Sequence, residues 1–355
     1  DKLYGYDGDD YISGGWGNDY LNGGSGKDTL VGNRGKNTIL GGSGNDSISG
    51  GKDNDTLYGN NGNDSIDAHN GNDKIYGGNG DDTIRCGHGK DYASGGDGND
   101  KIYGEENRKT IKGGAGNDYI KGASDKDKIY GGSGKDSIYA GAGNDYIYGG
   151  AGNDIIYSQG GKDTVYGDDG NDKISAGAGN DKIHGGNGND TIYCSSGNNT
   201  IIGGKGNDRI YSGSGADNFD FSRGSGDDYI FSSTKSDVIR FFSCNSNDKF
   251  TYKKQGDHLI ITHSYGSKKD TVKLVNAFTS SNRLKTLKIQ VNGNWKTKTI
   301  NYNEILNDAK ADELKAEVSS WTSTGKSDGI QTFTENNNTN INTLVSAYIP
   351  NDAKF

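Results

Sequence analysis

Apolar residues return along the first part of the chain at an interval of nine: Leu3, Ile12, Leu21, Leu30, Ile39 and onward to Ile210 and Phe219, with Ala93 the one small member. Each is the middle of a triplet that alternates out, in, out, as a short strand does. Six residues rich in Gly, Asn, Asp and Ser separate the triplets, a composition that turns the chain and tolerates positive φ. The pattern predicts short strands joined by tight turns. A triplet is too short to stand alone, so successive repeats must stack on one another.

The polar positions keep the same register. Stepping by nine from Asp1 to Asp217 meets 25 positions without an insertion or deletion, and 22 of them are Asp; the exceptions are Asn37, Lys109 and Asn199. The repeating phrase is Gly-Gly-x-Gly-x-Asp-x-apolar-x, which resembles the nonapeptide repeat of RTX proteins, a calcium-binding signature. The resemblance implies an all-β fold, a right-handed parallel β-roll in which two nonapeptides form one 18-residue coil and coils lie about 4.8 Å apart. It also implies multiple Ca²⁺ ions as cofactors.

Composition sharpens this expectation. The chain has 61 Gly, one Pro, no Met, 29% hydrophobic residues and a formal charge of −9. Such a chain would ordinarily stay disordered, yet a flexible linker has no reason to hold a nine-residue register. One buried apolar side chain per repeat falls short of the entropy lost on ordering the other eight residues. Carboxylates and turn carbonyls are the hard oxygen ligands that Ca²⁺ gathers six to eight at a time, so ions are expected to complete the core. Residues 1–240 contain only two glutamates, Glu105 and Glu106. A short, fixed carboxylate is evidently required.

With two repeats per coil, alternate repeats fall on opposite edges of the roll. One edge, called strong here, carries Asp10, Asp28, Asp46, Asp64, Asp82, Asp100, Asp118, Asp136, Asp154, Asp172, Asp190 and Asp208, and each of their turns keeps its first and fourth glycine. The weak edge carries Asp19, Asp55, Asp73, Asp91, Asp127, Asp145, Asp163, Asp181 and Asp217, and all three lost aspartates; among its complete turns only Gly14-Gly-Trp-Gly and Gly32-Asn-Arg-Gly keep both glycines. These 21 aspartates are the expected metal ligands, with about 11 to 23 ions if each gap between stacked turns holds one. At Lys109 an ammonium stands where an ion would sit, and an ion-free turn is expected there.

Three segments are expected: the roll over 1–226, a β-rich cap over 227–300 and a tail over 301–355. The cap contains DDYIF, SDVIRFF, DHLIIT and KDTVKLV, then a hairpin turn at Asn292-Gly293. The run from Asn247 to Phe278 resembles the haemolysin-type calcium-binding related domain. In the tail, Tyr302, Ile305, Leu306, Ala309, Leu314, Val318 and Trp321 fit one helical face, and Ile341, Leu344, Val345 and Tyr348 a second. The tail resembles the C-terminal signal of type I secreted RTX proteins.

Neither an 18-residue apolar run nor an N-terminal signal peptide is present. The expected setting is therefore extracellular, with the type I secretion machinery as a partner. Acidic balance argues against nucleic acid. Cys86 and Cys194 lie six coils apart, beyond disulfide reach. The histidines His69, His88, His184, His258 and His263 are scattered, no His-Glu-x-x-His zinc helix occurs, and His258 and His263 read as solvent-facing strand residues. An enzyme is not expected within this chain. Two functions remain: an extracellular structural or surface-interaction module of surface-layer or adhesin type, or the C-terminal half of a secreted cytolysin or hydrolase whose active domain lies upstream of Asp1. For the first, cell-surface polysaccharide, lipopolysaccharide or self-assembly are the expected contacts, with outward tyrosines such as Tyr130, Tyr148 and Tyr166 forming ladders that offer one candidate strip.

Overall fold

The structure, a computed structural model, describes residues 1–231, 233–234, 236–245, 247–278, 286–291, 294–299, 314–315, 321–327 and 330–335. The chain divides into two compact units, Asp1–Lys182 and Ile183–Phe355. The division falls within the repeats.

Within the first unit each strand up to Ile155–Tyr157 pairs in parallel with the strand 18 residues further on. Leu3 lies opposite Leu21, Ile84 opposite Ile102 and Ile129 opposite Ile147. Alternate triplets build two sheets, one running from Lys2–Asp7 through Tyr20–Ser25 to Thr164–Asp169, the other from Tyr11–Trp16 through Thr29–Arg34 to Lys173–Ala178. The middle residue of each triplet points between the sheets, so Leu21, Ile39, Ile84, Ile111, Ile147 and Ile174 are fully buried. Ala93 occupies the same column. This is the coil of 18 residues that the β-roll resemblance implied.

The two edges differ in backbone. Strands that enter strong-edge turns are six residues long throughout, from Lys2–Asp7 to Thr200–Lys205. Those entering weak-edge turns shorten to three residues at Thr83–Arg85, Lys101–Tyr103, Tyr119–Lys121, Ser137–Tyr139 and Ile155–Tyr157. Shortening does not follow the glycines turn by turn: Lys173–Ala178 and Thr191–Ser196 keep six residues with Ala176 and Cys194 in the first turn position, while Gly104 and Gly122 follow three-residue strands.

The second unit keeps the parallel stacking and then caps it. Ile210 pairs with Ile230 and Phe219 with Ile239, an interval of 20 rather than 18. The inward column widens to Phe219, Phe221 and Phe241, which fill the larger coil. Lys268–Leu274 and Thr286–Val291 then lie parallel on Asp227–Phe231 and Val238–Cys244. Antiparallel partners complete the cap: Lys249–Gln255 with His258–Tyr265, and Thr286–Val291 with Asn294–Thr299. Val291 pairs with Asn294; the hairpin turn expected at Asn292-Gly293 lies outside the described residues.

No helix occurs among the described residues. Leu314 and Trp321, placed on a helical face from the sequence, lie instead in the strands Leu314–Lys315 and Trp321–Ser327, and Trp321–Ser327 pairs antiparallel with Ile330–Glu335. Thr322 and Thr324 are β-branched and Gly325 is a poor helix former, so local preference here favours the strand. The other positions of the two expected helical faces lie outside the described residues. No helix of the described residues is long and apolar enough to cross a membrane.

Candidate metal centre

Each turn closes on its sixth residue, and that residue is tied to the coils on either side. On the strong edge the backbone N–H of each aspartate donates to Oδ1 of the aspartate one coil on, at 2.7 to 2.8 Å from Asp10 through to Asp172. Its carbonyl accepts from the first strand residue of the next coil, as Thr29 N–H does to Asp10. The weak edge repeats the ladder: Asp55 donates to Asp73, Asp127 to Asp145 and Asp145 to Asp163. All the expected ligands except Asp10 are buried. The columns face inward.

The second carboxylate oxygen is different. Oδ2 of Asp28, Asp46, Asp64, Asp82, Asp100, Asp118, Asp136 and Asp154 is buried with no hydrogen-bond partner, and so is Oδ2 of Asp55, Asp73 and Asp145 on the weak edge. A buried, unpaired carboxylate oxygen is expensive, and ordinary proteins seldom tolerate one. Burial, opposed by the ladder hydrogen bond, pushes Asp64 and Asp100 up to about 6 and Asp82, Asp118 and Asp154 up to about 7. On the weak edge Asp55 rises to about 6 and Asp73 and Asp145 to about 7, again chiefly by burial.

Turn carbonyls face the same gaps. A Cβ added to Gly132 would lie 1.9 Å from the Gly114 oxygen one coil back, and one added to Gly134 would lie 2.0 Å from the Gly116 oxygen. Carbonyls of the second and fourth turn positions therefore aim between coils. The first glycine answers to the carboxylate itself: a Cβ on Gly95 would sit 2.0 Å from Asp100 Oδ2, and one on Gly131 would sit 2.4 Å from both Asp136 Oδ2 and Gly149 O. On the weak edge Ala68, Ala140, Ala176, Cys86 and Ser158 fill that first position as buried side chains. Orphaned oxygens, inward carbonyls and a space only glycine leaves open are together a fitting donor set for Ca²⁺.

Reading the sequence missed two members. Asp208 N–H donates to Asp228 Oδ1, and Asp217 N–H to Asp237 Oδ1, both at 2.9 Å and both 20 residues on. Burial raises Asp228 to about 9. The phrase Gly224-Ser-Gly-Asp-Asp228-Tyr-Ile repeats the motif after a two-residue shift.

Other candidate residues take different places. His263 is fully buried rather than solvent-facing, with Nε2 2.8 Å from Asp248 Oδ2 and the ring stacked on Phe250. Arg223 binds the same Asp248 carboxylate, so the approach of Cys244, Asp248 and His263 is an ion-paired network. His258 Nδ1 accepts from Asn276 N–H, so the two histidines do not form a pair. Cys86, Cys194 and Cys244 are buried and not joined by disulfides, in keeping with the expectation for the first two. Tyr130, Tyr148 and Tyr166 stack face to face at 5.1 and 4.9 Å. The faces of Tyr148 are thus covered by its neighbours, leaving edges and hydroxyls outward, which favours cross-strand stacking over a sugar platform.

A family model for the RTX calcium-binding nonapeptide repeat matches segments that together run over residues 1–84, 87–108, 110–192 and 195–225. The chain belongs to this family. It is a calcium-binding RTX module whose cofactor is multiple Ca²⁺ ions. Among solved structures it is similar to a hyperactive, Ca²⁺-dependent, β-helical antifreeze protein from an Antarctic bacterium, at 23% identity and a TM-score of 0.33 over 68% of this chain and 85% of that one. It is also similar to the extracellular lipase LipA of Serratia marcescens, at 19% identity and a TM-score of 0.23 over 48% of this chain and 38% of that one. No curated protein matches the chain in sequence.

Proposed function

We propose that this RTX chain is an extracellular structural or surface-interaction module, of surface-layer or adhesin type, which leaves the cell unfolded by type I secretion and folds where calcium is plentiful. The observation that carries the reading is the column of buried Asp Oδ2 atoms with no hydrogen-bond partner. Strong-edge aspartates, with the second and fourth turn carbonyls, would hold the ions; those weak-edge gaps flanked by aspartate on both sides would hold further ones. When bound, calcium supplies the positive charge that lets these carboxylates stay ionised in the interior. In a calcium-poor compartment the columns repel one another, and the single apolar residue per repeat does not compensate. Export as an open chain follows from that imbalance.

Charge also suggests how such a module meets a surface. Each ion brings two positive charges, while each aspartate is shared by the gaps above and below it. Filling about 11 strong-edge gaps would move the formal charge from −9 to about +13 before counter-ions are considered. The loaded roll would be attracted to anionic surface polysaccharide or lipopolysaccharide. Electrophoretic mobility at fixed ionic strength tests this: a change from anionic to cationic on adding saturating calcium is expected, and a mobility that stays strongly anionic removes the surface attraction.

A further inference from the structure

Lys109 occupies the sixth position of a weak-edge turn, where its neighbours in the column carry aspartate. It is fully buried. Its three Nζ–H groups are shared among four oxygens: Gly87 O at 2.8 Å, Gly89 O at 2.7 Å, Asp91 Oδ2 at 2.6 Å, and Glu106 O. Gly87 and Gly89 are the second and fourth residues of the turn one coil back, and Asp91 is its sixth. Glu106 is the third residue of the turn that Lys109 itself closes. The ammonium therefore lies in the gap between two stacked turns and bonds both.

The flanking aspartates fit this arrangement. Asp91 Oδ2 takes the ammonium, and Asp127 Oδ2 takes the Ala123 N–H at 2.7 Å, whereas Oδ2 of Asp73 and Asp145, the next members of the column, has no partner. Asn37 makes a contrast. Its Oδ1 takes the Asp19 N–H and its Nδ2 donates to Gly35 O of its own turn, while Asp19 Oδ2 one coil back stays without a partner. The amide keeps the ladder but does not reach back to the Asp19 carboxylate oxygen across the gap. The two glutamates play no part as carboxylates: Glu106 pairs with exposed His88 at 2.8 Å and Glu105 approaches Arg85 at 3.8 Å.

We propose that Lys109 is a tethered replacement for a calcium ion: it fills the gap between turns 86–91 and 104–109, so that this gap takes no calcium and these turns hold together before the neighbouring gaps are loaded. The inference rests on the calcium reading of the columns. Oxygen donors that Ca²⁺ would share between coils here converge on one covalently attached cation, which needs no free ion and cannot dissociate.

The test uses the full chain with calcium chloride as the only probe, counting bound ions by native mass spectrometry. Lys109→Asp restores the column and is expected to carry about one or two more ions than the wild type at saturation. Lys109→Met, similar in length but uncharged, is expected to carry the wild-type number. An unchanged count in Lys109→Asp, or failure of that variant to fold in saturating calcium, overturns the proposal. Hydrogen exchange at limiting calcium gives a second reading. Peptides spanning 84–109 should gain protection at lower calcium than those spanning 137–163, and Lys109→Met should abolish that lead; equal onset in the wild type overturns it. Should the wild type bind no calcium at all, the calcium reading falls and this inference with it. Binding by the wild type without the gain in Lys109→Asp removes the inference alone.

Discussion

The two edges of the roll carry the same acid at the same interval, yet they are built differently. Strong-edge strands run six residues into their turns, while half-way along the first unit the weak-edge strands stop after three. The Asp ladder survives in both, and so do orphaned Oδ2 atoms, as at Asp136 and Asp145. What changes is the first turn residue, glycine on one edge and Ala, Cys or Ser at several turns of the other. The comparison teaches that the carboxylate column alone does not define a complete ion cradle. Close packing of the turn backbone against Oδ2, which glycine permits, is open to every strong-edge turn and is lost on the weak edge where Ala68, Cys86, Ala140, Ser158 and Ala176 take the first position.

The largest effect expected from breaking this difference is at the glycine. Gly131→Ala puts a Cβ 2.4 Å from Asp136 Oδ2 and Gly149 O, and should cost about 2–3 kcal/mol in denaturant unfolding at millimolar calcium. Ala140→Gly, at the equivalent weak-edge position, should cost only about 0.5–1 kcal/mol, through lost packing and a freer unfolded chain. Similar losses at the two sites would remove the distinction.

The carboxylates come next. Asp136→Asn keeps an Oδ1 for the Asp118 N–H but removes a charge from two gaps, and should raise the calcium midpoint roughly three- to tenfold. Asp127→Asn, beside Lys109 and with both oxygens already accepting hydrogen bonds, should raise it less than about twofold. Equal shifts in the two titrations would refute the edge assignment.

Acid should have the smallest effect, and with a sign that depends on calcium. Folded values near 6 for Asp64 and near 7 for Asp118 and Asp154 lie above the unfolded carboxylate range. Their contribution therefore favours folding fully below about pH 4 and is lost as pH rises through 6 to 7. In calcium-free buffer, circular dichroism should show β structure gained between pH 7 and about pH 4.5. In calcium the same descent should weaken ion binding, because protons compete for the same oxygens. No gain of structure on acidifying the ion-free chain would mean that column repulsion is not what keeps it open.

The roll was legible because its signal is a period: Leu, Ile or Val every nine residues fixed the inward column, and Asp two residues earlier fixed the ladder. The same counting failed where the period stretched. Asp228 and Asp237 sit 20 residues beyond Asp208 and Asp217, and two added residues hid a motif that Gly224-Ser-Gly-Asp-Asp228 still spells out. Turn glycines were read as a matter of positive φ, whereas at Gly95 and Gly131 the requirement is the space occupied by a carboxylate in the fold. His263 shares strand parity with buried Leu259 and Ile261, a sign that its imidazole faces inward, but the acid that receives it, Asp248, comes from an adjacent strand boundary that periodicity does not locate. At Trp321, the last residue of an apolar helical spacing, the β-branched Thr322 and Thr324 follow at once, and the strand Trp321–Ser327 prevailed.

The central claim is that ions, rather than apolar burial, hold the coils together. The most direct measurement is the far-ultraviolet circular dichroism of the full chain at neutral pH, in excess chelator and then in millimolar calcium. The account predicts an unfolded spectrum in chelator and a β spectrum that appears cooperatively as calcium is added. A β spectrum of full strength in excess chelator, unchanged by calcium, would contradict it.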